Sequence, residues 1–160
     1  MTYQLSAAGI ASVRVQHDES NPTVPDLLTI EENGTTLWGV PLSDVASLTI
    51  NGTDSSDTLE VADDLTIPIA LHGNSGADQL NVTSDSDLTL SDSSLTSSHG
   101  MNLTLDGIES ALLTGGIHGN AINASAFTLG PVTLIGGDGD DLLTGSPQGD
   151  ELSGGLGNDT

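Results

Sequence analysis

The turn aspartates of this chain recur at a fixed interval. Asp57, in "GTDSSD", is followed 21 residues later by Asp78, in "GNSGAD"; Asn120, in "GGIHGN", is followed after the same interval by Asp141, in "GGDGDD". The 42 residues from Asp78 to Asn120 are two such intervals, with His99 at the skipped position inside "SDSSLTSSH". After Asp141 the interval shortens to nine, giving Asp150 and then Asp159. Apolar residues obey the same count. Two places after the turn position stand Leu59, Leu80, Met101, Ile122 and Leu143. Before the turns stand Ile50, Leu71, Asp92, Leu113 and Leu134, and two places earlier Leu48, Ile69, Leu90, Ala111 and Val132. Only Asp92 breaks these three columns.

A period near 20 residues, built from short alternating pieces such as "SLTI", "TLEV", "QLNV" and "VTLI" with Gly-rich turns between them, predicts strands without helices. The architecture that such a repeat supports is an all-β parallel solenoid. Each repeat is one rung, like residues stack on like at the ordinary strand spacing of about 4.8 Å, and no rung buries its apolar face alone. Residues 1–44 are expected to form N-terminal strands or a cap, 45–135 the irregular 21-residue rungs, and 136–160 a more regular set. The chain stops inside its pattern, and an open solenoid end exposes an edge strand, so a segment of a longer protein is expected. Trp38 falls one step back on the post-turn column and is read as core or end-cap packing rather than a sugar-stacking platform. "SDSSLTSSH" is read as a rung with a bulged polar turn.

Charge narrows the partners. The 160 residues hold 23 acidic side chains and one basic one, Arg14, for a net charge of −22. Nucleic acid and anionic membrane surfaces would repel such a chain, whereas cations would be drawn to it. The four histidines are too few to neutralise it, and with no cysteine there is neither disulfide nor thiolate metal site. No apolar run reaches the length of about 18 residues that a membrane helix needs, and the first 15 residues lack the basic start of a secretory signal. A lyase needs a base and cations for its substrate's carboxylate, which Arg14 alone does not supply. No nucleophile–base pair or isolated carboxylate pair stands apart from the repeat, so the segment is read as non-enzymatic. His99 and His118 are read as exposed turn residues rather than a transition-metal pair.

The tail resembles the RTX (repeats-in-toxin, haemolysin-type) calcium-binding nonapeptide, G-G-x-G-x-D-x-U-x. Residues 136–144, "GGDGDDLLT", fit throughout. Residues 145–153, "GSPQGDELS", keep Gly145, Asp150 and Leu152, and residues 154–160, "GGLGNDT", keep Gly154, Gly155, Gly157 and Asp159. The resemblance implies a right-handed parallel β-roll with two nonapeptides per 18-residue rung, and Ca²⁺ held between turns stacked on one edge. Calcium takes six to eight oxygen ligands, and glycine lets backbone carbonyls point at one centre. Carried onto this chain, the ion is expected between Asp141 and Asp159, with Gly136, Gly137, Asp138, Gly154 and Gly155 as carbonyl ligands. Asp57 with Asp78, and Asn120 with Asp141, are further candidate pairs, with one turn column shared by the 21- and 18-residue rungs. Asp150 faces the opposite edge. Implied too are secretion, an extracellular or cell-surface location, a structural, adhesive or folding role, and partners among neighbouring repeats, copies of the chain or surface glycans. The alternatives are an accessory module of a secreted enzyme and a glycan- or ice-binding face, for which the threonines are too irregularly spaced.

Overall fold

The computed structural model describes residues 2–4, 9–16, 27–62 and 65–160, all β apart from one short 3₁₀ turn at Leu42–Asp44. The expectations for the side chains of Arg14 and Trp38 lie outside the described residues. In chain order the strands are β1 (Thr2–Gln4), β2 (Ile10–Gln16), β3 (Leu27–Glu32) and β4 (Thr35–Pro41), then β5 (Leu48–Asn51), β6 (Thr58–Ala62), β7 (Ile69–His72) and β8 (Gln79–Thr83). β9 (Leu88–Ser91), β10 (Ser94–Ser97) and β11 (Asn102–Asp106) follow. β12 (Ser110–Thr114), β13 (Ala121–Ala126), β14 (Val132–Asp138), β15 (Leu142–Thr144) and β16 (Glu151–Leu156) complete the set.

They form two mixed sheets. The first runs β1-β5-β7-β11-β10-β9-β13-β15 and the second β16-β14-β12-β8-β6-β2-β3-β4. From β5 to β8, and again from β12 to β16, consecutive strands alternate between sheets, and each pairs in parallel with the strand one repeat away. Leu48 faces Ile69 and Thr58 faces Gln79, 21 residues apart; Ala111 faces Val132 and Ile122 faces Leu143 at the same offset. Between β14 and β16 the offset is 18, Leu134 facing Leu152. Period-2 alternation decides which side chains go inward. In "TLEV" Leu59 and Val61 are buried while Thr58 and Glu60 face outward, and β8 and β12 repeat the pattern. The inward residues of the two sheets make one core, in which Phe127 is the largest fully buried side chain.

Two antiparallel excursions correct the expectation of an uninterrupted parallel stack. The first is β2-β3-β4. Its tight link is Asn33–Gly34, both with positive φ (51° and 76°), the geometry of a two-residue hairpin turn. Beside it, the Tyr3 hydroxyl donates to the buried Glu32 carboxylate at 2.6 Å. Burial, and then the Glu32 hydrogen bond and charge, push the Tyr3 pKa up to about 12. The second is β9-β10-β11, a meander formed by the stretch read as a bulged rung. Leu90 faces Leu95 there instead of Ile69, and His99 sits at an exposed hairpin tip. Asp92, the column breaker, accepts from the Thr128 N–H and hydroxyl at 2.5 and 2.8 Å. Those bonds, the backbone one foremost, hold its carboxyl below the usual range.

The meander also shifts the phase. β7 pairs with β11 at an offset of 34 (Ile69 with Leu103), and β8 with β12 at 31 (Leu80 with Ala111). The three apolar columns are therefore real contacts on each side of the meander but do not run through it. Leu48 and Ile69 belong to the first sheet, while Ala111 and Val132 belong to the second.

Candidate metal centre

The phase shift divides the turn aspartates into two columns, not the single one expected. Turns 52–57 and 73–78 lead from the first sheet to the second, as do the short link after β11 and the turn at 145–150. Turns 115–120 and 136–141 lead from the second sheet to the first, and 154–159 follows β16 of the second sheet. Asp57 and Asp78 thus lie on one edge, Asn120, Asp141 and Asp159 on the other.

Within each column a carboxylate reaches one repeat back and takes a backbone N–H. Asp141 Oδ1 accepts from Asn120 N–H at 2.7 Å and Asp159 Oδ1 from Asp141 N–H at 3.0 Å. On the other edge Asp57 Oδ1 accepts from Gly9 at 3.0 Å, Asp78 Oδ1 from Asp57 at 2.7 Å, and Glu109 Oε2 from Asp78 at 2.9 Å. Asp150 belongs to that edge as well; its Oδ1 takes the Val132 N–H at 2.9 Å and the Ser146 hydroxyl at 2.8 Å. These bonds link each turn to the next, because a backbone N–H inside a stacked turn must find an acceptor.

The pairing expected between turns 136–141 and 154–159 is present. Gly137 stands opposite Gly155 and Asp138 opposite Leu156, because β14 and β16 continue into the first half of each turn. Gly136 is enclosed: a Cβ there would collide with Asp141 Oδ2 and the Gly154 carbonyl oxygen together. Gly137 has φ 109°, a conformation that side chains disfavour. Asp141 is 2% exposed, and its Oδ2 is buried with no hydrogen-bond partner. Asp138 and Asp159 are exposed, and so is Asp140, whose Oδ1 takes the Asn158 N–H at 2.9 Å. Sequence reasoning passed over Asp140 because the repeat pattern leaves its position unspecified.

The other candidates differ. Asn120 Oδ1 accepts from Gly116 N–H in its own turn at 2.9 Å. Asp57 Oδ2 is taken by the Thr53 N–H and hydroxyl at 2.6 and 2.9 Å. His99 and His118 line one cleft with Asp85, Asp87 and Ser98. His118 Nδ1 lies 2.6 Å from Asp85 Oδ2, and that hydrogen bond holds the Asp85 carboxyl below its ordinary range. Among the described residues no three acidic or histidine side chains converge as a metal-ligand cluster. An ion held at these turns would therefore draw on backbone carbonyls as well as carboxylates. The donor set suits that role: a bare buried carboxylate oxygen and a stacked carbonyl oxygen meet at Gly136, both hard ligands of the kind calcium selects.

Residues 133–160 match the family model of the RTX calcium-binding nonapeptide repeat, in 4 copies. These repeats are calcium-binding motifs that occur in secreted bacterial proteins, so calcium is the ligand of this segment. No curated protein and no solved structure matches the chain. No helix among the described residues is long and apolar enough to cross a membrane.

Proposed function

We propose that this chain is a non-catalytic, calcium-stabilised extracellular module of a secreted protein, coiled as a right-handed β-roll on either side of its β9-β11 meander. Asp141 and Asp159 supply carboxylates to an ion between their stacked turns. Backbone carbonyls come from among Gly136, Gly137, Asp138, Gly154 and Gly155. The observation that carries this reading is the buried, unpartnered Oδ2 of Asp141, set against the Gly154 carbonyl inside the matched repeats. A buried carboxylate without a partner is costly unless a cation meets it. With a net charge of −22, self-repulsion opposes compaction until cations neutralise it. Low calcium inside a cell then favours the extended, exportable chain, and calcium outside favours the folded one.

Calcium titrated into metal-free protein, followed by far-UV circular dichroism and calorimetry together, tests this. The expected result is heat of binding with a gain of β signal and a melting temperature that climbs with calcium as RT ln(1 + [L]/Kd) requires. No heat and no change in melting at millimolar calcium would reject it.

A further inference from the structure

The turn residues differ in what satisfies the second carboxylate oxygen. Thr53 serves Asp57, and Asn120 bonds inside its own turn. Asp78 and Asp141 alone of the column residues are buried with an unpartnered Oδ2; Asp78 is 0% exposed. Asp141 lies in the matched repeats, but Asp78 lies far outside them. The reason is local. Where the 52–57 turn has Thr53 after its first glycine, the 73–78 turn has Asn74, with φ 72° and its side-chain amide donated to the Gly52 carbonyl at 2.8 Å. Nothing in that turn closes on Asp78 Oδ2.

What stands above Asp78 repeats the environment of Asp141. A Cβ on Gly73 would collide with the Gly107 carbonyl oxygen and stand 2.5 Å from Asp78 Oδ2, as one on Gly136 would meet the Gly154 carbonyl and Asp141 Oδ2. Glu109 accepts the Asp78 N–H as Asp159 accepts that of Asp141. The link after β11 has only Gly107, Ile108 and Glu109 before β12 begins, against six residues at 154–159. The longer glutamate side chain spans the difference.

We propose that Asp78, Glu109 and the Gly107 carbonyl form a second divalent-cation site, outside the nonapeptide repeats and on the opposite edge of the sheets. Two carboxylates and a carbonyl, with no nitrogen or sulfur donor, select a hard cation such as calcium. Burial first, and the Glu109 and Asp57 charges after it, raise the Asp78 carboxyl above its ordinary range. A bound cation reverses both effects, because it supplies the missing opposite charge. The inference takes its template from the proposed 141/159 site, and its test separates the two.

Calorimetric titration of calcium into metal-free full chain is compared for the wild type, Asp78→Asn, Glu109→Gln and Asp141→Asn. Asp78→Asn and Glu109→Gln should each lose one bound calcium, or bind it at least tenfold more weakly, and keep the site that Asp141→Asn removes. If only Asp141→Asn loses a site, this proposal falls and the proposed function stands. If only Asp78→Asn and Glu109→Gln lose one, the reverse holds. Hydrogen exchange of the wild type supplies a second reading should Asp78→Asn fail to fold. Calcium should slow exchange at 73–78 and 106–109, and unchanged exchange there overturns the site.

Discussion

Asp141→Asn should reverse its effect on stability when calcium is added. The substitution keeps the shape of the side chain and the Oδ1 acceptor for Asn120 N–H. It removes the charge from a carboxylate that is 2% exposed and whose Oδ2 has no partner. Asparagine already occupies the equivalent place one repeat back, at Asn120. Leaving a buried polar group unsatisfied costs about 1–3 kcal/mol, more when it is charged. The new amide must also find an acceptor, so the net gain without metal should be on the order of 1 kcal/mol. With calcium at about a hundred times its Kd, the wild type gains roughly 2.7 kcal/mol, most of which the variant forfeits. For a domain of this size 1 kcal/mol moves Tm by about 2–4 °C. The variant should therefore melt a few degrees above the wild type in chelator and about 3–7 °C below it in calcium. The assay is a pair of calorimetric scans in each buffer. Equal destabilisation in both would mean that Asp141 is a structural link in the turn stack and that its bare oxygen waits for no cation.

Two further predictions concern the scaffold. Tyr3 is the only tyrosine, so its ionisation can be read directly from near-ultraviolet absorbance. The midpoint should fall near 12, where the hydroxyl bonded to Glu32 gives up its proton. Its folded pKa is raised, so the stability it contributes is complete below the unfolded value of about 10 and disappears as pH climbs through about 12; a midpoint near 10 would show the contact to be absent in solution. Leu80 is fully buried and faces Leu59 on one side and Ala111 on the other. Leu80→Ala should cost about 2–5 kcal/mol, read as a lower urea midpoint in chelator and in calcium alike. A loss below about 1 kcal/mol would mean that the two halves do not share a core across the meander.

Much of this was legible in the residues because stacking writes a simple code. Leu48 with Ile69, Leu59 with Leu80, Leu113 with Leu134 and Ile122 with Leu143 are neighbours in the sheets as the 21-residue count says. So is Asp141 with Asp159. The count failed between Asp78 and Asn120 for a geometric reason. Each repeat contributes one strand to each sheet, so an insertion that moves the chain on by half a repeat still puts an apolar residue where one is expected. Leu90 and Ala111 kept the rhythm on paper while changing partners in space. Glu109 was hidden because its link is three residues shorter than the glycine turns and a glutamate does an aspartate's work in it. The Asn33–Gly34 hairpin carries a strong local signal, but it lies outside the periodic region and so escaped a search guided by the period.

The β9-β10-β11 meander also has a mechanical consequence. Between β7 and β13 the first sheet holds three strands, whereas between β8 and β14 the second holds one. At about 4.8 Å per strand, one wall of the stack is roughly 10 Å taller than the other over the same stretch. Walls of unequal height cannot rise straight, so the meander works as a keystone that deflects everything after it. The calcium-binding tail therefore leans away from the line of the strands before it.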